Sequence, residues 1–202
     1  LKFIQADPDK PFMLYIGCAD PHRGGGTDAS NPLKPDLFGN KPGGAAYPGI
    51  DETFYRPEEV FVPPFLPDTP ECRAELVQYY QSVSRVDAGL GHLVRKLKDL
   101  GLYDKTLIVV TSDHGMAFPG GKTTVYEEGL KVPFIVRDPY QSRRGVQSKA
   151  MISHVDTTPS LLDFAGGLDA ETHAPRDLLD FKAHAEANGV GGLDNFGKPV
   201  KA

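Results

Sequence analysis

Residues 106–115 read TLIVVTSDHG, an apolar run followed by an abrupt change to polar side chains. A short run of this kind, rich in β-branched residues, predicts a buried strand. Residues 12–17 (FMLYIG) form a second apolar run of strand length, and a long helical pattern lies between the two. Strand, helix and strand in this order form a crossover unit. The sequence therefore predicts an α/β fold with a mostly parallel sheet flanked by helices.

The pattern between those runs predicts one long helix, from about residue 70 to residue 100. Asp68 or Thr69 can cap its start, Pro70 suits its first turn, and Gly101 suits its exit. The apolar residues recur at the spacing of a helical face. They are Leu76, Tyr79, Tyr80, Val83, Val86, Leu90, Leu93, Val94, Leu97 and Leu100.

The rest of the chain is less regular. Residues 20–69 are rich in Gly and Pro and lack periodicity, which predicts a loop. A loop of this length is uncommon unless it is functional or disordered. Residues 132–136 (VPFIV) predict a third strand, and residues 153–165 predict a loop and a short helix. Residues 167–202 are polar, and we interpret them as an irregular insertion or linker.

The composition is that of a globular protein and argues against two classes of function. The 202 residues are 40% hydrophobic and 24% charged, with a formal net charge of −5. This acidic balance argues against general nucleic-acid binding, and no apolar run approaches the ~20 residues of a membrane helix. Cys18 and Cys72 are too few for a disulfide framework, which favours two buried free thiols.

The chain begins LKFIQADPDKPF, without an initiator Met and without the basic and apolar regions of a signal peptide. We therefore interpret it as an internal piece of a longer polypeptide. On that interpretation, the start of the chain carries no information about the compartment, and the oligomeric state stays open.

Polar clusters follow both predicted strands. Residues 20–23 (DPHR) come after the first strand, and residues 112–115 (SDHG) come after the second. Ligands of open α/β sheets bind beyond the carboxyl ends of the strands. The two clusters are therefore predicted to meet at one edge of the sheet and to form an active site there.

Asp113 and His114 are candidate metal ligands, because a carboxylate beside an imidazole suits a divalent cation. The same residues followed by Gly115 also make an ordinary strand exit, with the glycine at positive φ. On these residues alone both interpretations remain open.

Lys122, His22 and Arg23 are candidates for contacts with an anion. Lys122 lies in a Gly-rich turn and can bind a tetrahedral anion, although most lysines are simply solvated. A nucleotide-binding P-loop is rejected, because it needs glycine where Met116 stands. His22 can protonate a leaving group, and Arg23 can pair with an anion or fix its loop. A loop histidine capped by its neighbours is the alternative for His22.

Three segments together resemble the sulfatase family of the alkaline-phosphatase superfamily. They are residues 10–24 (KPFMLYIGCADPHRG), 106–137 (TLIVVTSDHGMAFPGGKTTVYEEGLKVPFIVR) and 153–166 (SHVDTTPSLLDFAG). The middle segment is the most specific, with Asp-His-Gly, a lysine eight residues after the histidine, and Tyr-Glu-Glu-Gly before an apolar strand. The Asp-Pro-His-Arg motif is most similar to the heparan N-sulfatase (sulfamidase) subgroup and its bacterial relatives. The resemblance implies an alkaline-phosphatase-like fold, with residues 1–166 as part of the catalytic domain.

The resemblance also implies roles for individual residues. Asp113 and His114 are implied to be ligands of a divalent ion, usually calcium, and Lys122 is implied to contact the sulfate. His22 is implied to bind the sulfate and to act as general acid, with Arg23 in the same substrate site. Lys122 departs from the subgroup, in which arginine can stand at this position.

The nucleophile of the family is a formylglycine made from cysteine in a Cys-x-Pro-x-Arg motif, and this chain has no such motif. Cys18 is a near miss, with one residue too many before the proline. The implied parent is an exported hydrolase (periplasmic, extracellular or lysosomal) of sulfate esters or sulfamates on small molecules or glycans, and this chain alone is expected to be inactive. A phosphatase or phosphonate hydrolase of the same superfamily, or a truncated non-catalytic binding module, remains an alternative.

Overall fold

The structure, a computed structural model, describes residues 2–6, 10–23, 37–41 and 47–168. The chain divides into two compact units, residues 1–139 and residues 140–202. Within the described residues the helices and strands are, in chain order, α1 (Lys2–Ala6), α2 (Pro70–Asp99), β1 (Ile108–Thr111), α3 (Glu127–Leu130), β2 (Phe134–Arg137) and α4 (Thr157–Phe164). Short 3-10 turns lie at Tyr103–Lys105 and His154–Asp156.

Helix α2 confirms the prediction of one long helix. Thr69 has an extended backbone, and its hydroxyl accepts a hydrogen bond from the backbone N–H of Cys72 at 3.3 Å, which satisfies one of the free donors of the first turn. Pro70 begins the helix, and Gly101 follows its end with φ of 67°, the left-handed conformation that glycine adopts without strain. None of the helices in the described residues combines the length and the apolar character that crossing a membrane requires.

The hydrophobic core of the first unit is centred on α2. Leu76 is fully buried, and so is Phe38 from the preceding loop. Val60, Leu66, Cys72 and Phe118 complete the buried cluster. Burial raises the pKa of the Cys72 thiol. Cys18 is exposed, so the prediction of two buried thiols is correct for Cys72 and wrong for Cys18.

Helix α2 also buries a polar side that the apolar spacing does not predict. Gln81, Ser82 and Arg85 are buried, whereas the side chain of Val83 is 40% exposed. At 3.6 residues per turn, Arg85 lies half a turn around the helix from Leu76. The helix is therefore covered on two sides, one apolar and one polar.

The sheet differs from the predicted one. Strands β1 and β2 pair antiparallel, with Ile108 opposite Arg137 and Thr111 opposite Phe134. Residues 12–17, the predicted parallel partner of β1, form no strand in the described part of the chain, and Tyr15 among them is 85% exposed. A strand persists only where a neighbour completes its backbone hydrogen bonds. Here the neighbour of β1 is β2, which follows α3 in the chain. The strand predicted for residues 132–136 is therefore confirmed, with the observed bounds Phe134–Arg137.

The second unit is described as far as residue 168. The 3-10 turn at His154–Asp156 leads into α4, which confirms the loop and short helix predicted for residues 153–165. The backbone N–H of Ser153 donates to the Asp156 carboxylate at 2.8 Å, as part of a capping box at the start of this turn. The irregular segment predicted for residues 167–202 falls almost wholly outside the described residues and stays a prediction.

The core position of Leu76 gives a direct test of this packing. Replacing Leu76 with alanine leaves a cavity and is expected to lower the free energy of unfolding by about 2–5 kcal/mol. Val83→Ala on the same helix is the matched control, with an expected change of about 0.5 kcal/mol or less. Urea denaturation followed by far-UV circular dichroism measures both. Equal losses at the two positions would contradict the core described here.

Candidate functional site

His22 and Lys122 lie face to face, although 100 residues separate them in the sequence. The Nζ atom of Lys122 is 3.2 Å from Nε2 of His22. Because an ammonium group only donates, Nε2 of the imidazole accepts in this contact. The two side chains line one open pocket of about 340 Å³, together with Arg23, Ala117, Phe118 and Thr123.

A tight turn presents Lys122 to this pocket. The backbone N–H of Lys122 donates to the Met116 carbonyl at 2.9 Å, and that of Gly121 donates to the Phe118 carbonyl at 2.9 Å. A Cβ at Gly121 would lie 2.3 Å from the Met116 carbonyl oxygen, and Gly120 has φ of 85°. Both glycines are therefore required by the turn itself, and the lysine side chain projects from its end.

Gly115 is required by close packing rather than by its backbone angle. A Cβ there would lie 1.7 Å from the carbonyl oxygen of Glu128. Its N–H donates to the Gly129 carbonyl at 3.0 Å. Gly115 is not among the glycines with positive φ, so the positive φ considered for it in the sequence is not observed. The close approach joins the Asp-His-Gly segment to the short helix α3.

Asp113 and His114 form a pair with the spacing of neighbouring metal ligands. The Oδ2 atom of Asp113 lies 3.4 Å from Nε2 of His114. Nδ1 of His114 is 2.8 Å from the Gly115 carbonyl, and because a carbonyl only accepts, Nδ1 donates in this contact. A neutral imidazole held in this way would offer the lone pair of Nε2 to a metal ion. Two ligands at right angles around a cation, each at about 2.4 Å, are separated by roughly 3.4 Å. The pair therefore fits part of the coordination shell of a divalent cation.

The predicted site residues fall into two groups in the structure. His22, Arg23 and Lys122 come together in one pocket, whereas Asp113 and His114 are not among the residues that line it. In the part of the chain that the structure describes, no third His, Cys, Asp or Glu joins this pair as a metal-binding group. That His22, Lys122, Asp113 and His114 face a single cleft stays a prediction.

Arg23 is predicted as a substrate-binding residue, and in the structure it contacts protein groups. Its guanidinium lies over the rings of Phe38 and Phe118, 4.6 Å and 5.0 Å from their centres. Its Nε donates to the Ala117 carbonyl at 3.1 Å, and its Nη1 donates to the Glu75 carboxylate at 2.7 Å. These contacts match the other role considered for Arg23, which is to fix its loop.

Arg85 is the residue that sequence reasoning missed. Its Nε and Nη2 donate to the two carboxylate oxygens of Asp20 at 2.8 Å and 3.1 Å, and its Nη1 donates to Asn40 at 2.5 Å. The side chain is only 5% exposed. Burial acts to lower the pKa of Arg85, but the neighbouring carboxylates of Asp20 and Glu52 outweigh it and raise the pKa. Because Arg85 lies opposite the apolar face of the helix, its position in the sequence is typical of a solvated arginine.

A family model described as Sulfatase matches residues 1–167. The chain belongs to the sulfatase family. Membership confirms the resemblance seen in the sequence and the α/β class that the resemblance implies. The described residues contain helices and a two-stranded antiparallel sheet.

The most similar relatives include sulfatases of animals and of bacteria. Human N-sulphoglucosamine sulphohydrolase is 39% identical over 165 residues, which cover 81% of this chain and 33% of the relative. An ulvan-active sulfatase of Formosa agariphila is 32% identical over 105 residues, which cover 52% of this chain and 18% of the relative. Arylsulfatase K of Mus musculus is 26% identical over 209 residues, which cover 91% of this chain and 36% of the relative. The chain thus spans about a third or less of the length of these sulfatases.

Proposed function

We propose that the whole protein hydrolyses sulfate esters or sulfamates, and that this chain supplies two of the groups that bind the sulfate. The observation that carries the proposal is the 3.2 Å approach of Lys122 Nζ to His22 Nε2 in an open pocket. Once Nε2 of His22 carries a proton, a tetrahedral anion can accept hydrogen bonds from both groups at once. The ammonium charge of Lys122 would stabilise the negative charge that grows on the sulfate oxygens in the transition state.

His22 is the proposed general acid. Its imidazole is exposed at the pocket, beside the ammonium group of Lys122. Protonated His22 would transfer its proton to the oxygen or nitrogen of the leaving group as the bond to sulfur breaks. A sugar alcohol or amine, which leaves poorly as an anion, depends on this proton. The proposed substrate is a sulfated glycan or a sulfated small molecule, and the name of the human relative refers to N-sulphoglucosamine.

Asp113 and His114 are the proposed ligands of a divalent metal ion, with calcium as the candidate. Sulfatases generally use such an ion, and the Asp113–His114 spacing together with the fixed imidazole supports the assignment. When bound, the cation would neutralise charge on the sulfate. Two residues supply only part of the six to eight ligands that calcium takes, so other ligands would come from elsewhere in the whole protein.

The whole protein is proposed to contain the mostly parallel sheet that the sequence predicts. Support comes from residues 12–17, which carry apolar side chains that the described residues leave in water. Met13 is 77% exposed and Ile16 is 55% exposed. Placing this segment in a sheet would remove that apolar surface from water, which stabilises a fold by roughly 25 cal/mol per Å².

Turnover by the chain and by the whole protein tests the function. Sulfatases generally attack the sulfate with a formylglycine formed from cysteine, and this chain lacks the Cys-x-Pro-x-Arg motif. Without a covalent nucleophile the chain alone is expected to release no sulfate from an aryl sulfate or an N-sulfated glucosamine, whereas the whole protein should do so. Aryl phosphate and phosphonate esters assayed in parallel are the controls. Faster release of phosphate by the whole protein would favour a phosphatase, and sulfate release by the chain alone would contradict its proposed dependence on the missing nucleophile.

Lys122 is expected to matter for every sulfated substrate. Lys122→Met in the whole protein removes a charge that faces the sulfate, so kcat/KM should fall by ~10²-fold or more. Lys131→Met is the matched control, because Lys131 is exposed and pairs with Glu127 at 2.8 Å away from the pocket residues. Steady-state kinetics measure both variants. Similar losses in the two would contradict a sulfate contact at Lys122.

The effect of losing His22 is expected to depend on the leaving group. A His22→Ala variant of the whole protein should cleave an activated aryl sulfate nearly as well as the unmodified enzyme, and a sugar sulfate or sulfamate far more slowly. His92→Ala is the control, since His92 is exposed on α2 and lies outside this pocket. A plot of log kcat/KM against leaving-group pKa gives the result. Equal defects on all substrates would leave His22 as a sulfate-binding or structural residue.

Calcium binding should separate the chain from the whole protein. Titration calorimetry is expected to show much weaker binding to the chain, because Asp113 and His114 are only part of the ligand set. In the whole protein, Asp113→Asn should lower the affinity by more than about tenfold, and the exposed Asp87→Asn on α2 should leave it unchanged. Equal affinity of chain and whole protein would mean that ligands outside the chain contribute nothing.

A further inference from the structure

We infer that Arg23 and Arg85 are positioning residues, which together hold His22 opposite Lys122, and that Arg23 is not a sulfate ligand. The inference rests on the proposed function, in which His22 is the general acid. His22 lies between two anchored neighbours in the sequence, Asp20 on one side and Arg23 on the other. Both neighbours bind residues of helix α2: Asp20 binds Arg85, and Arg23 binds Glu75.

The anchor before His22 is the buried pair of Asp20 and Arg85. The planar guanidinium binds both oxygens of the carboxylate at 2.8 Å and 3.1 Å, which fixes the direction as well as the distance of Asp20. The adjoining loop fits closely around this pair. A Cβ at Gly39 would lie 2.8 Å from the Asp20 carboxylate, and the Phe38 carbonyl accepts a further hydrogen bond from Arg85 at 3.3 Å.

The anchor after His22 is Arg23. It reaches Glu75 on α2 and, through its Nε, the carbonyl of Ala117. Ala117 belongs to the same turn that carries Lys122. Arg23 therefore links the backbone next to His22 directly to the turn that holds Lys122. The ring of Phe118 lies 5.8 Å from that of Phe38, and the guanidinium rests over both.

The surroundings of Arg23 argue against a sulfate contact. Its charge is already paired with Glu75 at 2.7 Å, in a contact where the two side chains are only 35% and 22% exposed. A sulfate would have to use the remaining N–H groups of a guanidinium whose charge Glu75 already balances. The ammonium group of Lys122 lies 3.2 Å from Nε2 of His22 and pairs with no carboxylate among the described residues, so its charge can act on the anion.

Accurate placement of a general acid affects the chemical step more than substrate binding. A displacement of about 1 Å can cost ~10²-fold in rate, while the sulfate remains bound by other groups. Loss of Arg23 or Arg85 should therefore lower kcat and leave KM nearly unchanged. The loss in kcat should increase with the pKa of the leaving group, as is expected when His22 itself is removed.

The experiment compares three arginine variants of the whole protein. Arg23→Lys and Arg85→Lys keep the charge, but a lysine cannot donate from two nitrogens as each arginine does. With a sugar sulfate or sulfamate, kcat should fall ~10²-fold. With an activated aryl sulfate, the decrease in kcat should be much smaller. Arg73→Lys is the matched control. Arg73 is also on α2 and binds Asp68 with two donors at 2.5 Å and 2.8 Å, but it does not contact the His22 segment. Its kcat should be unchanged.

A double-mutant cycle separates positioning from direct binding. Adding Arg23→Lys to His22→Ala should cost little beyond His22→Ala alone, because the arginine acts through the histidine. Additive losses, or a raised KM with unchanged kcat, would overturn the inference and make Arg23 a sulfate ligand. If Arg85→Lys does not fold, judged by circular dichroism, Asp20→Asn replaces it as the variant that weakens the same pair.

A spectroscopic measurement keeps the inference testable without turnover. In the whole protein labelled at histidine Cε1, Lys122→Met should shift the His22 signal, because the two groups are in contact. In an Arg23→Lys background the same change should shift it far less. A full shift in that background would overturn the positioning role even if the protein cleaved no sulfate ester, so the two proposals fail separately.

Discussion

The guanidinium of Arg85 is almost entirely removed from water and remains ionised. Burying a charge of this kind costs several kcal/mol unless its partners replace the lost water. Asp20, Asn40 and the Phe38 carbonyl supply those partners. They come from two different loop segments, so satisfying one buried charge fixes the path of both loops against helix α2. The position of His22 follows from this requirement.

Helix α2 is the frame on which the candidate site is built. Its apolar side, centred on Leu76, packs with Phe38 and Phe118 in the core. Its polar side carries Arg85, and Glu75 on the same helix binds Arg23. One rigid element thus holds the chain before and after His22. A long, well-capped helix suits this role, because its own hydrogen bonds fix the relative positions of side chains that are ten residues apart.

His22 and Lys122 lie together in the structure, but not for the reason that the sequence argument gave for the meeting of the two polar clusters. It relied on two parallel strands that deliver polar clusters to one edge of a sheet, and β1 is instead paired with β2. The two side chains nevertheless meet, because Arg23 bridges the His22 segment to the Ala117 carbonyl in the turn that carries Lys122. Within this chain, side-chain contacts bring His22 to Lys122. The meeting of that pair with Asp113 and His114, which the strand pairing was expected to bring about, stays a prediction.

The features that could be predicted from the sequence are those encoded within a few residues. The Thr69 cap, the periodicity of α2, the strand before Asp113 and the Gly-Gly-Lys turn all depend on neighbours close in the chain. Family membership could also be read from the motifs, because they preserve local spacing. Such patterns have a fixed period or offset, and the physical cause lies in backbone geometry.

The tertiary structure alone decided which polar groups are buried and what they bind. Three contacts illustrate this. Arg85 binds Asp20 across a separation of 65 positions in the sequence, and Arg23 binds Ala117 and Glu75 across separations of 94 and 52 positions. Nothing in the sequence distinguishes Arg85 from a solvated arginine, and the sequence left Arg23 open between an anion contact and a contact that fixes its loop. The distinction depends on which distant residues the fold places beside each side chain. An ion pair between remote residues exists only once the chain has folded around the helix, so no local pattern can predict it.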